Sequence, residues 1–250
     1  MFEENSVEVL NVDQSNATPK YSINGRSDVM SVNQKKRNKV NVIIYKQLQA
    51  REVYKLNKEW KELYQSFSQT PHGVYFYTLD KDAIFPFYIG MCIAKTYYII
   101  GRVWEELDDY CHGLYWLPKD VFMLKNLDCF KNSTHNQKDL FYEPVKEPSE
   151  IKERQQAIEN FMSSVFITFG KIESEEGGSL IQDEEHILIR QIEAKLQNHL
   201  VKKLDLKPNW IGDGGQNFAK VNKEDLKELS IILKDKTDKG IKFLDVFKDI

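Results

Sequence analysis

The chain has 250 residues, 41% hydrophobic and 29% charged, a composition that supports one globular domain with additions or at most two domains. A formal net charge of -3 argues against a protein that coats nucleic acid indiscriminately, because that binding depends on phosphate neutralisation. Three cysteines (Cys92, Cys111, Cys129) with no CxxC pair, an acidic opening MFEENSVEVLNVDQSN and no apolar run of membrane-spanning length lead to the expectation of a soluble, cytoplasmic protein.

Residues 1 to about 40 are rich in Asn, Ser, Asp and Lys and read as an arm that orders only on contact. Between Lys35 and Lys61, nine Lys or Arg face only Glu52 and Glu59. That run is either a solvated helix face or a phosphate-tracking surface. On the second reading Lys35, Lys36, Arg37, Lys39, Arg51 and Lys55 are the DNA-contact candidates. Leu48, Leu56, Trp60, Leu63 and Phe67 recur at helical spacing and predict a basic amphipathic helix within 41–70, ended by Pro71-His72-Gly73.

The period then changes. Gly73 to Leu79 and Phe85 to Ile89 read as strands joined at Asp80-Lys81-Asp82, with Pro86 tolerable at a strand start. Tyr97 to His112 returns to helical spacing, with Ile100, Val103, Leu107 and Tyr110 on one face. An inserted excursion follows over about 113–160, with a helix at Glu150 to Ser163. Val165 to Ile172 is a strand by its β-branched and aromatic content, and Leu180 to Leu204 a strong helix. Beyond the loop from Lys207 to Gly215, residues 213–250 are expected to be a helical extension, its helix capped by Asn222. The expected fold is therefore α+β, with a small, mixed or antiparallel three-stranded sheet flanked by helices and its main domain at 71–212.

Two residues are unusual in this layout. Glu185 sits within the apolar stripe of Ile181, Leu188, Ile189, Ile192 and Leu196, an expensive place for a charge unless it is paired or binds a metal ion. Glu184 and Glu193 lie off the stripe and read as surface charges. Either a structural ion pair or a Mg²⁺ ion, which takes oxygen ligands and few protein carboxylates, would account for Glu185. Arg102 is four residues before Glu106, the less favourable order for an exposed pair worth only about 0.3–0.5 kcal/mol. A guanidinium also matches phosphate bidentately and stabilises charge in a phosphoryl transition state.

The stretch GVYFYTLDKDAIFPFYIG, residues 73–90, places Gly-Val-Tyr and Tyr-Ile-Gly twelve residues apart at the ends of one hairpin. With Arg102 in the next helix and Glu185 in E-x-x-L-I-x-x-I after a third strand, it resembles the GIY-YIG nuclease superfamily over roughly residues 70–212. Pro86 before the second motif resembles its type II restriction enzymes. The resemblance implies a metal-dependent endonuclease that hydrolyses double-stranded DNA with one Mg²⁺ or Mn²⁺ per site. Tyr75 would take the proton of the attacking water and Tyr88 would orient water or phosphate. Arg102 would steady the phosphate and Glu185 would bind the metal. A phenol of ordinary pKa about 10 needs a neighbouring cation to act as a base near neutrality, for which Lys95 is the candidate. Asn209, or else Asn217, stands for the family's late asparagine. Glu106 stands where many members have histidine, with His112 or His72 as substitutes. A homodimer and a cognate DNA methyltransferase are implied partners. A mobile-element or repair nuclease and a binding module without chemistry are the alternatives.

Overall fold

The computed structural model describes residues 39–55, 72–93, 99–112, 147–173, 182–206, 221, 223–248 and 250. In chain order the elements are β1 (Lys39–Gln49), α1 (Ala50–Lys55), β2 (Gly73–Thr78), β3 (Tyr88–Cys92), α2 (Ile99–Cys111), α3 (Pro148–Ser164), β4 (Phe166–Ile172), α4 (Gln182–Leu204), α5 (Lys223–Glu228), β5 (Ser230–Asp235) and a 3₁₀ helix (Lys242–Phe247). The class is α+β, as expected, but the sheet has five strands in the order β3-β2-β4-β1-β5. Only β1 and β5 run parallel; the other neighbouring pairs are antiparallel.

The three expected strands form one half of this sheet. β3 begins at Tyr88 rather than Phe85. Pro86 has no N–H for a ladder, and the first bond from this segment to β2 is Phe87 N–H to the Tyr77 carbonyl at 2.9 Å. The other half corrects the expectation. Residues 39–49 are a strand, and the predicted basic helix shrinks to Ala50–Lys55 in the part of 41–70 that is described. Val40, Val42 and Ile44 alternate inward and are buried, a β-branched run that outweighs the helical spacing begun by Leu48. Leu48 pairs with Ile167 at the end of the ladder.

The basic run consequently shares no single helix face. Lys39 opens β1, whereas Arg51 and Lys55 lie beyond its other end, roughly 30 Å away at the rise of an extended strand. Arg51 is also taken up by an ion pair with Glu159 of α3. Lys35, Lys36 and Arg37 lie outside the described residues.

The expected C-terminal helical extension is likewise corrected. α5 spans six residues, after which Ser230–Asp235 adds β5 beside β1. Ile231, Ile232 and Leu233 form a short apolar run suited to a strand, and Ile231 is buried. Asn222 lies outside the described residues.

Both faces of the sheet are covered. On one, Tyr75 and Tyr77 meet α2, which packs on α3 through Tyr110 and Phe161, their ring centroids 4.2 Å apart. On the other, Phe76 meets Phe243 and Phe247 of the 3₁₀ helix, and Gln197 of α4 donates to the Ile89 carbonyl at 2.9 Å. Among the described residues no helix is long and apolar enough to cross a membrane.

Candidate active site

The hairpin register explains the two glycine-tyrosine motifs. β2 and β3 pair Gly73 with Cys92, Tyr75 with Gly90 and Tyr77 with Tyr88. Side chains two apart on a strand share a face, so Tyr75, Tyr77 and Tyr88 project together above Gly90. A Cβ on Gly90 would stand 2.4 Å from the Tyr75 ring and 2.6 Å from its hydroxyl oxygen. The glycine of the second motif is thus the space in which the tyrosine of the first one lies. At the other end, a Cβ on Gly73 would lie 2.2 Å from the Gly170 carbonyl oxygen of β4. The close approach of β2 to β4 requires that glycine.

The three phenols pack against one another, with centroids 5.8 Å apart for Tyr75 and Tyr77, 6.1 Å for Tyr75 and Tyr88, and 5.1 Å for Tyr77 and Tyr88. Tyr75 is 1% exposed and Tyr88 6%. α2 lays Glu106 against them because Ile99, Val103, Leu107 and Tyr110 on the same helix are all buried, with Glu106 on their face. The Glu106 carboxylate has no solvent exposure. Its Oε1 accepts from the Tyr75 hydroxyl at 2.5 Å and its Oε2 from the Tyr77 hydroxyl at 2.9 Å. Arg102, one turn back, brings a guanidinium nitrogen to 3.1 Å from Oε1 and donates from its other terminal nitrogen to Glu105 at 2.9 Å. Burial, and after it the Glu106 charge, holds the Tyr77 hydroxyl well above the ordinary phenol range.

The Arg102–Glu106 pair is therefore no ordinary surface pair. One partner is fully buried and hydrogen-bonded by two phenols, while the arginine side chain stays 35% exposed.

Glu185 has a different neighbour. It lies at the N-terminal part of α4, half-buried, with Oε2 3.3 Å from Nδ1 of the buried His72, the residue before β2. The His186 ring stands perpendicular to that of His72, at a centroid distance of 4.7 Å. Leu188, Ile189, Ile192 and Leu196 are buried as expected, but so is Glu193, at 4% exposure. The expectation that Glu193 is a surface charge is corrected: it lies one helical turn from both Ile189 and Gln197, and Gln197 donates to the Ile89 carbonyl, so Glu193 is on the side of α4 that faces the sheet.

Of the residues the sequence singled out, the structure gathers Tyr75, Tyr88 and Arg102 into one cluster and gives Glu185 to His72. His112 bonds back to the Asp108 carbonyl of its own helix at 2.8 Å. Lys95, Asn209 and Asn217 lie outside the described residues. Tyr77 joins the cluster without belonging to either motif; its place two residues after Tyr75 in a strand, which puts it on the same face, is the signal for it. Among the described residues no three His, Cys, Asp or Glu side chains converge as a metal cage. Magnesium needs none, since one carboxylate with water and phosphate oxygens completes its shell, and the partly exposed carboxylate of Glu185 fits that mode.

Comparison with protein-family models, with curated proteins and with solved structures gave no match.

Proposed function

We propose that this chain is a divalent-metal-dependent DNA endonuclease of the GIY-YIG kind, most like its type II restriction enzymes. The observation that carries the reading is the packing of Tyr75 and Tyr88 over Gly90, with Arg102 delivered to the same carboxylate that Tyr75 touches. Two motifs and a helix residue, all within residues 73–102, meet in one place, with the partly exposed guanidinium at its edge.

On this reading Arg102 receives the scissile phosphate and offsets the charge that builds on it during in-line attack. The Tyr75 hydroxyl contacts the attacking water, and Tyr88 restricts where water and phosphate lie. Glu185 would hold Mg²⁺ or Mn²⁺, which when bound withdraws charge from the phosphate and the leaving oxygen. His72 lies beside that carboxylate. Double-stranded DNA is the substrate, and cutting both strands calls for a homodimer or two sequential nicks. A restriction role adds a methyltransferase acting on the same sequence.

The test is Glu185→Ala in paired assays. Cleavage should vanish while affinity for duplex DNA changes little; full cleavage by the variant would remove Glu185 from the metal site.

A further inference from the structure

The least expected feature of the molecule is a carboxylate with no solvent exposure that two phenols and a guanidinium surround. Burying a carboxylate costs several kcal/mol unless its oxygens are satisfied. A hydrophobic residue at this place on α2 would pack with Ile99, Val103 and Leu107 at no such cost. Among the described residues, the groups facing Glu106 include the Tyr75 and Tyr77 phenols from β2, with the Tyr88 phenol from β3 packed against both, and Arg102 of its own helix, with Glu105 beyond the guanidinium.

We infer that Glu106 is the proton acceptor behind Tyr75, a positioning residue that acts on the attacking water through the phenol. This rests on the nuclease reading above and deepens it. The Tyr75 hydroxyl proton is committed to Glu106, so whatever approaches the Tyr75 oxygen must donate to it, as a water does. Oε1 of Glu106 is shared by the Tyr75 hydroxyl and the Arg102 guanidinium, which puts those two groups within about 6 Å of each other. Tyr75 is 1% exposed and lies behind that guanidinium, so on this inference the phosphate and its water reach the phenol from the Arg102 edge of the cluster.

In the step that follows, the water oxygen bonds to phosphorus as its proton moves to the Tyr75 oxygen. The proton of Tyr75 passes to Glu106, the bond from phosphorus to the leaving oxygen breaks, and that oxygen takes a proton from solvent water. Glu106 then returns its proton along the same path. A phenol, of ordinary pKa about 10, need not ionise at any stage; a carboxylate, ordinarily about 4.3, accepts the proton. The cation beside Tyr75 that its chemistry alone would demand is then unnecessary.

The test compares wild type, Glu106→Gln, Glu106→His and Tyr77→Phe, using Mg²⁺ and a duplex substrate cleaved by the wild type. Folding is checked by circular dichroism, and phenol ionisation by ultraviolet absorbance. Glu106→Gln should lose on the order of 100-fold in single-turnover rate, the scale of a lost general base. Its tyrosine absorbance should begin to titrate at lower pH once the carboxylate is gone. Glu106→His should recover part of the rate, with the acid limb of its pH profile moved towards about 6.5. Tyr77→Phe removes a hydrogen bond to the charged form of Glu106, so its acid limb should also move up. A Glu106→Gln variant that cleaves like wild type, or a Glu106→His acid limb coincident with that of wild type, overturns the inference and leaves the nuclease reading intact. A wild type that cleaves no DNA under any metal condition overturns both.

Discussion

Tyr75 and Gly90 face each other across the β2–β3 ladder, and the tyrosine ring fills the volume that any side chain at 90 would need. A methyl at 2.4 Å from a fully buried ring cannot be accommodated by a flexible chain end moving aside. Gly90→Ala should cost about 1–3 kcal/mol in denaturant unfolding, the usual range for overpacking. DNA cleavage should fall further than this loss explains, because the displaced phenol is the one bonded to Glu106. Wild-type cleavage by Gly90→Ala would mean that Tyr75 tolerates displacement and is no part of the chemistry.

Arg102 separates two roles by kinetics. If it stabilises charge in the transition state, Arg102→Ala should lose on the order of 100-fold or more in single-turnover rate with duplex affinity reduced far less. Loss of affinity at an unchanged saturated rate would reassign it to positioning the duplex.

The hairpin, β4 and α4 were legible because each is short or strongly periodic and lies where turn residues bracket it. The half of the sheet made by β1 and β5 was not. In β1, Leu48 with Leu56 and Trp60 imitates a helical stripe, while the strand character resides in Val40, Val42 and Ile44 just upstream. β5 carries no local mark of its pairing because its partner, β1, lies about 190 residues earlier, Lys39 pairing with Ser230. In the site, the motif residues gave the cluster. The burial of Glu106 and Glu193 runs against residue type rather than helix position: Glu106 lies one turn from Val103 and Tyr110, and Glu193 one turn from Ile189, but a carboxylate reads as a surface group unless its partners are known.

The C-terminal segment should prove integral to the core. Phe243 is 1% exposed and packs on Phe76 at a centroid distance of 5.2 Å, directly beneath the hairpin. Phe243→Ala should lower unfolding free energy by about 3–5 kcal/mol. A loss below about 1 kcal/mol would mean that the 3₁₀ helix does not hold its place on the sheet.

Asp235 gives a pH dependence. Burial pushes its carboxyl up, but hydrogen bonds from Thr237 and from the backbone of Thr237, Gly240 and Ile241 outweigh that and hold it below the ordinary aspartate range. A carboxyl depressed in the folded state adds stability above its unfolded pKa of about 3.9, and that stability is lost as pH falls through the folded value. Asp235→Asn should therefore be less stable than wild type at pH 7, by under about 1 kcal/mol because the residue is exposed. Thermal melts across acid pH should show the gap closing as wild-type Asp235 protonates; a gap constant with pH would contradict this.

The central claim, a metal-dependent and sequence-specific nuclease, is tested most directly by incubating the pure protein with a large unmethylated viral DNA in Mg²⁺, in Mn²⁺ and in chelator. Discrete fragments that require the metal are the result expected here. Intact DNA under all three conditions, with the duplex bound, would contradict it and leave a binding module built on the same hairpin.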